Sequence, residues 1–342
     1  MNYLLYPLLI PISFCFGFIT RIRNLFYDFG FLRSFRSKLP VISVGNILVG
    51  GSGKTPSVIF LCNLLSSKGY RPIVLSRGYK GKAKGPQLVT KIDSALDVGD
   101  EPKLMFQRGC IVVVAKNKVS GLKFIEERDL GELVILDDGF QSRYISRDFD
   151  IVCVDARTEK AVVDLEQGHL LPWGKARENL DRSINRIDAL FIPINSLDNT
   201  KDALYQRIRQ KFPSRVDDFK ISTKTLKVQN LFGQTLPAQS VGAFTGIANP
   251  QKFFDTLKSL GFEITKTYTF SDHHTFQAED LIRINRQCSD PLVCSEKDIV
   301  KIAELELKSL DRVYYVPIDF VIDQNTDSSK LLEISKLQLH KK

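Results

Sequence analysis

Several patterns that would narrow this sequence quickly are missing from it. Its six cysteines, at 15, 62, 110, 153, 288 and 294, form no C-x-x-C pair. Several lie in apolar runs such as Ile151-Val152-Cys153-Val154, where a thiol behaves as a small hydrophobe. Neither a zinc site nor a disulfide framework is expected, and a reducing compartment is. Histidine is scarce, with four in 342 residues, two of them adjacent at His273 and His274. There is no internal repeat and no low-complexity segment. Charge is absent from residues 1–20, which are crowded with Leu, Ile, Phe and Tyr. A secretory signal would put basic residues before such a run and a small-residue cleavage site after it. Here Arg21, Arg23, Arg33, Arg36 and Lys38 follow it instead, against the single acid Asp28.

That apolar run is near the lower length limit for a spanning helix, and Pro7 and Pro11 are expected to interrupt it. An interfacial anchor fits, with aromatic and Leu side chains at the acyl boundary and arginines on anionic headgroups. The bland alternative is a buried N-terminal helix of a soluble core. Apolar content of 43% and charged content of 25% are ordinary for a folded protein, and a net charge of +9 favours an anionic partner.

From residue 40 to about 220, apolar runs at Val41–Val44, Pro72–Leu75, Cys110–Val114, Leu133–Leu136, Ile151–Val154 and Ala189–Ile194 read as strands. Amphipathic stretches at Pro56–Lys68, Pro102–Gln107 and Asn117–Glu127 lie between several of them. Near-continuous apolar strands alternating with helices predict an α/β fold: a parallel sheet covered by helices on both faces. Lys224–Gln234 reads as a hairpin arm or linker. A smaller C-terminal α/β unit is expected to follow, from Val241–Phe244 through a helix at Pro250–Leu260, a strand at Glu263–Phe270, a helix at Gln277–Asn285 and a strand at Leu292–Cys294. The expected organisation is a membrane-associating helical segment over 1–38, a core over 39–223, a linker over 224–239, a smaller domain over 240–330 and a frayed polar tail over 331–342.

The stretch Pro40–Pro56 holds the clearest chemistry. A β-branched strand runs into Val49-Gly50-Gly51-Ser52-Gly53-Lys54-Thr55, and an apolar periodic segment follows. Strand, glycine-rich turn and helix in that order predict a phosphate loop whose backbone amides cradle a nucleotide. Lys54 would reach the terminal phosphates, and the Thr55 hydroxyl would ligate magnesium. Leu48 stands where the usual pattern has its first glycine. Asp137 and Asp138 close the apolar strand Leu133–Leu136 and are expected to face that loop and hold Mg2+, directly or through water. Pleat geometry decides which of the two points at the metal. Arg77, after the second strand, fits a phosphate or an acidic side chain. Asp100 and Glu101, before Pro102, read first as a helix cap. In Ser271-Asp272-His273-His274, adjacent histidines on an extended chain face opposite ways, so they make a poor chelate. One of them suits a general base or the orienting partner of a carboxylate.

Taken together, these pieces resemble the tetraacyldisaccharide 4′-kinase family of lipid A biosynthesis. The match runs through most of the chain, over Val44-Gly45-Asn46, Val49–Pro56, Ser76-Arg77-Gly78-Tyr79, Gly99-Asp100-Glu101-Pro102, Asp137-Asp138-Gly139-Phe140-Gln141, Leu170-Leu171-Pro172, Phe244–Ala248, Asp272-His273-His274 and Glu296-Lys297-Asp298. The loose phosphate loop is itself like the family. The resemblance implies a P-loop NTPase-like kinase using ATP and Mg2+, and an acceptor that is the 4′-hydroxyl of an acylated glucosamine disaccharide 1-phosphate. It places the enzyme on the inner membrane, peripheral or monotopic, with its site on the cytoplasmic side. It also implies a carboxylate–histidine dyad of Asp100, the base on the sugar hydroxyl, and His273, with Asp137 and Asp138 as magnesium ligands. Because His273 falls in the second unit, closure of a cleft is expected to bring it to Asp100. Arg77, Glu101 and Gln141 are candidate contacts to substrate or phosphate. Two positions depart from the family: Ser142 replaces a histidine and Ser295 a threonine, and Ser142 receives no role. Two rival readings are a nucleotide-dependent switch or partner-loading protein without a lipid acceptor, and a nucleic-acid-binding NTPase. The latter has no recognition motif here, and no nucleic-acid partner is expected.

Overall fold

The computed structural model describes residues 6–194, 203–305 and 308–322. The tail expected over 331–342 and the first five residues of the leader lie outside the described residues. The chain forms two units, each assembled from separate stretches. The first takes the chain up to Arg77, then Asn117–Thr223, and resumes at Phe320. The second takes Gly78–Lys116 and Lys224–Asp319. Residues 78–116, which the sequence groups with the phosphate-loop core, thus belong with the later half of the chain.

In the first unit a parallel sheet runs in the order Asp217–Thr225, Ala189–Ile194, Phe149–Cys153, Val41–Gly45, Leu133–Asp137, Pro72–Ser76. Every residue of Val41–Gly45, Leu133–Asp137, Pro72–Ser76 and Ala189–Ile194 is buried. This is why these strands read as unbroken apolar runs and not as alternating ones. Helices Glu159–Gln167 and Ala203–Arg209 close one cluster, setting Val162, Leu165 and Ile208 against Val152, Leu190 and Ile192. After Val41–Gly45 the chain builds to one side of that strand, then returns to build to the other. The crevice at its carboxyl end is the place where open α/β sheets bind ligands. Val44 is in register with Asp137, so the turn after Gly45 and the paired acids leave the sheet at one level.

The leader is one unbroken helix, Tyr6–Asp28, which corrects the expectation that its prolines interrupt it. Pro7 falls in the first turn, where an amide proton has no helical partner in any case, and Pro11 removes only one bond of the ladder. Leu9–Asp28 is long and apolar enough to cross a membrane by length and composition. Its polarity is inverted relative to a core helix. The stripe Ser13, Gly17, Thr20 and Asn24 is covered, Ser13 fully, whereas Phe14, Phe18 and Ile19 are 62–74% exposed. Ser13 donates to the carbonyl of Leu170 at 2.8 Å and accepts the amide of Trp173 at 2.9 Å. A side chain at Gly17 would begin 2.5 Å from Leu170 Cδ1.

The second unit is built on the sheet Glu263–Thr269, Ser240–Thr245, Leu292–Ser295, Val313–Val316, all parallel, with the short strand Gln229–Asn230 antiparallel at its edge. Its strands alternate. Val241, Ala243 and Val293 pack with Phe253, Phe254 and Leu257 of helix Pro250–Ser259, while Phe244, Leu292 and Cys294 pack with Leu281 and Ile284 of helix Ala278–Gln287. A period of two with both faces apolar requires helices on both sides. Gln229–Asn230 turns back through Gly233, so the stretch read as a hairpin arm or linker is part of this sheet's edge.

Candidate active site

The two units carry two separate groups of chemistry-bearing residues. In the first, the turn after Val41–Gly45 leads into helix Lys54–Ser67. Gly45 has no room for a side chain, since a Cβ would sit 2.6 Å from Cβ of Phe140. Gly53 caps the helix in the left-handed region, at φ 84°, which only glycine adopts without strain. The helix N-terminus therefore presents unpartnered amides and the positive end of its dipole at Lys54 and Thr55. The loop's first half is not a nest. Val49 donates its amide to the carbonyl of Lys175 (2.8 Å), Arg177 donates to the carbonyl of Ile47 (2.8 Å), and Leu48 bridges Ala176. An extended ladder needs no glycine, and the Leu48 side chain packs on the neighbouring core cluster. This is the physical reason the pattern's first glycine is dispensable here. It also means that the Val49 amide, expected to contact nucleotide, is committed to Lys175. Ser52 receives a hydrogen bond from the Asn46 amide at 3.0 Å.

Lys54 lies 3.7 Å from Asp138. Nη1 of Arg177 donates to both oxygens of Asp138 at 2.9 Å. Burial opposes ionisation, but Lys54 and Arg177 outweigh it and hold the Asp138 carboxyl below the usual range. Asp137 is 6% exposed and accepts from the Ser76 hydroxyl at 2.8 Å. Asp138 thus takes two cations, while the Ser76 hydroxyl is one partner of Asp137. Beneath them Lys118, 4% exposed, donates to the main-chain carbonyls of Asp137 (2.6 Å) and Asp138 (2.9 Å). Burial pushes its ammonium down to about 8, against the pull of the two carboxylates. Gln141 braces the group, donating to the Asn46 carbonyl (2.9 Å) and to Glu178 (3.1 Å) while accepting from Arg177 (3.3 Å). Arg77 is exposed at the end of Pro72–Ser76.

In the second unit Asp100 opens helix Asp100–Gln107 and is 6% exposed. Its Oδ2 meets Nδ1 of His273 at 2.8 Å, and its Oδ1 accepts the Glu101 amide at 3.0 Å. Both residues lie in the same unit, which corrects the expectation that they meet by closure of a cleft between two units. The segment 78–116 carries Asp100 to the histidine. Burial opposes ionisation of Asp100, but the His273 hydrogen bond and the charge of Lys297 keep its carboxyl below the ordinary value. Lys297 donates to Glu101 at 2.8 Å, so Glu101 is half of an ion pair. The loop bearing His273 is fixed from beneath. Fully buried Asp298 accepts from Thr245, Ser295 and the Gly246 amide, and Gly246 in turn accepts the amide of His273. His274 pairs with Asp280 at 3.0 Å and stacks on Phe270, so it is a structural residue.

Among the described residues no three His, Cys, Asp or Glu side chains gather as a metal cage. A hydroxyl at Thr55 and the carboxylates of Asp137 and Asp138 are hard oxygen donors and too few to close a shell. Such a set suits magnesium, which keeps waters and takes its remaining ligands from substrate phosphates.

Lys118, Arg177 and Lys297 carry no functional signal of their own in the sequence. Arg177 lies shortly after Leu170-Leu171-Pro172, and Lys297 lies within Glu296-Lys297-Asp298. Lys118 has no motif, only the Asn117 cap before it.

A family model described as tetraacyldisaccharide-1-P 4′-kinase matches residues 5–336. A relative named tetraacyldisaccharide 4′-kinase from Psychromonas ingrahamii is 36% identical over 336 residues, covering 97% of this chain and 96% of its own. One of the same name from Shewanella frigidimarina is 35% identical over 338 residues, covering 98% and 93%. The crystal structure of LpxK from Aquifex aeolicus in complex with ATP superposes with a TM-score of 0.77 at 29% identity, covering 98% of this chain and all of that one.

Proposed function

This chain belongs to the tetraacyldisaccharide-1-phosphate 4′-kinase family, and we propose that it transfers the γ-phosphoryl of ATP to the 4′-hydroxyl of an acylated glucosamine disaccharide 1-phosphate. The observation that carries the reading beyond nucleotide binding is the 2.8 Å contact between Asp100 and His273. A nucleotide switch or partner-loading ATPase has no use for a buried, ionised carboxylate held by an imidazole. A kinase needs such a group to receive the acceptor proton.

The transition state of phosphoryl transfer is loose, so the protein's task is positioning and charge stabilisation. The amides opening helix Lys54–Ser67 and the Lys54 ammonium neutralise the β- and γ-phosphates. Arg177 and Lys54, gathered on Asp138, form a cationic group to which an incoming phosphate is a second anion. Magnesium, when bound, neutralises phosphate charge, and Thr55 and Asp137 are the residues that would hold it. The acceptor oxygen forms its bond to γ-phosphorus as the bond from phosphorus to the β–γ bridging oxygen breaks. The hydroxyl proton passes to Asp100, and ADP leaves with the bridging oxygen. His273 keeps the carboxylate oriented and ionised until that moment.

The acceptor is a lipid, and the leader fits a protein working on one. Exposed Phe14, Phe18, Phe29 and Phe31 suit the acyl boundary, and exposed Arg21 and Arg33 suit anionic headgroups. Arg36, by contrast, is paired with Asp148. We place the enzyme on the cytoplasmic face of the inner membrane, where ATP is available. The deciding experiment is transfer of label from γ-labelled ATP to the purified disaccharide 1-phosphate lipid. Labelled lipid is expected; no transfer by protein that still binds ATP overturns the reading.

A further inference from the structure

We propose that the second unit carries a lipid-docking surface of its own, on the stretch Tyr79–Val98 that leads into Asp100, and that this surface fits an anionic bilayer. It combines exposed lysines with a braced turn that holds Ile92 out in water. The leader belongs to the other unit, so this is a separate and smaller contact that supplements it. The proposal rests on the kinase reading for its purpose, bringing Asp100 to a lipid acceptor, though not for its test.

The turn at residues 90–93 is heavily braced. The Thr90 amide and hydroxyl both donate to Oδ2 of Asp93 at 2.6 Å, and the Gln87 amide donates to its Oδ1 at 2.6 Å. Lys103, itself buried, gives its ammonium to the carbonyls of Thr90, Lys91 and Asp93. A buried cation is costly unless well-placed acceptors surround it, and three carbonyls of one turn fix that turn's shape in return. The side chain so displayed is Ile92, 93% exposed and the most exposed large apolar residue among those described. A single exposed isoleucine is ordinary on a protein surface. This one has company, because Tyr79 and Leu96 are exposed on the same stretch.

Main-chain bonds bring the lysines to it. The Lys82 amide donates to the Leu96 carbonyl at 3.0 Å and the Ala83 amide to the Asp97 carbonyl at 2.9 Å, so the basic loop lies along helix Ala95–Val98. The approach is close. A side chain at Gly81 would begin 2.7 Å from the Val98 carbonyl carbon, and one at Gly99 would begin 2.8 Å from the Tyr79 carbonyl oxygen. Lys80, Lys82, Lys84 and Lys91 are all exposed, and Lys80 alone reaches a carbonyl, that of Asp272 at 3.5 Å. The nearby acids are engaged within the stretch: Asp93 as above, Asp97 by the amide and hydroxyl of Ser94, and Glu304 by the Ala95 amide. Lysines around exposed apolar side chains complement an anionic lipid surface, with ammonium groups on the headgroups and Ile92 in the acyl boundary. Because Gly99 and Asp100 continue from this stretch, docking it sets Asp100 beside the layer that holds a lipid acceptor.

The test places a reporter at residue 92 of the full chain. In Cys15→Ser/Ile92→Cys the other five cysteines are buried, so an environment-sensitive thiol dye reports on that turn alone. Vesicles of phosphatidylglycerol and phosphatidylcholine supply the charged surface, and pure phosphatidylcholine vesicles are the comparison. Blue-shifted emission is expected on the anionic vesicles, with a smaller shift on the neutral ones. Adding Lys82→Glu/Lys84→Glu to the labelled chain should weaken anionic-vesicle binding about 10-fold and return the emission toward its aqueous value. Labelled protein that floats with anionic vesicles while its emission stays aqueous overturns the proposal and would assign the patch to an acidic protein instead. Vesicle affinity unchanged by the two glutamates overturns it as well. These vesicles contain no acceptor, so failure here leaves the kinase reading standing, and failure of phosphoryl transfer leaves this contact standing.

Discussion

The Lys118 ammonium donates to the main-chain carbonyl of Asp137 at 2.6 Å, from a position 4% exposed. A second bond, to the Asp138 carbonyl, makes this lysine the floor of the acidic turn. A buried cation is costly unless its partners are well placed. Lys118→Met should leave two carbonyls without their donor and lower stability by about 1–3 kcal/mol. The pH dependence has a definite sign. The folded value of about 8 lies below the ordinary 10.5, so between them the unfolded chain holds the proton more tightly than the folded one. Wild-type stability should therefore gain from this group as pH rises from 8 to 10.5, and Lys118→Met should lose that gain. Thermal melts of the two proteins across this window test it; parallel curves would remove Lys118 from the acidic turn's energetics.

Asp100→Ala should lower kcat by about 10²- to 10⁴-fold while leaving nucleotide affinity nearly unchanged. Because the folded-state carboxyl is held below its ordinary value, Asp100 stabilises the fold above pH 3.8, and that contribution disappears as pH falls through the folded value. The stability difference between variant and wild type should thus shrink in acid. Turnover within a few-fold of wild type would show that another group takes the proton.

Much of this site can be read along the chain, because its parts are local. Val41–Gly45, the glycine-rich turn and Lys54–Ser67 are contiguous, and the acids close a strand recognisable from four apolar residues in a row. What cannot be read is which separate stretches come together. Asp100 follows the phosphate loop in sequence yet shares a unit with His273, since helix Asp100–Gln107 packs with helix Glu296–Ile302. Lys118 looks like any surface lysine at a helix start, because nothing local reveals that two carbonyls wait beneath it. Pro11 misleads for the opposite reason: one missing ladder bond is a local cost, and the packing of Ser13 and Gly17 on Leu170 overrides it.

Asp137 and Asp138 should respond differently when removed. Asp137, held by Ser76, is the proposed metal ligand. Asp137→Ala should raise the Mg2+ concentration for half-maximal turnover by more than Ser76→Ala, for which about 10-fold is expected of an outer partner. Asp138 gathers Lys54 and Arg177, so Asp138→Asn should mainly raise KM for ATP as the two cations separate. Magnesium titrations at saturating ATP, and ATP titrations at saturating magnesium, distinguish the two. Identical responses from both variants would mean that the acids act as one group.

The two faces of the leader should give opposite phenotypes. Phe14 and Phe18 are 74% and 62% exposed and support no core, so replacing both by Glu should change stability by no more than about 0.5 kcal/mol. If they enter the acyl boundary, the same pair of charges should release the protein from anionic vesicles, since each exchanges a buried ring for a carboxylate. Ser13 is the reverse case. It is 4% exposed, and its hydroxyl joins the helix to the loop at Leu170 and Trp173. Ser13→Ala should cost about 1 kcal/mol for the bonds it removes while leaving vesicle binding intact. That loop continues into the 175–177 ladder beside the phosphate loop, so Ser13→Ala should also weaken ATP binding in detergent, where no bilayer is present. Flotation with vesicles, melts and nucleotide titrations on the two variants separate anchoring from support. Unchanged flotation of Phe14→Glu/Phe18→Glu would place the membrane contact on another surface. Unchanged ATP affinity in Ser13→Ala would show that the helix supports the fold without reaching the phosphate site.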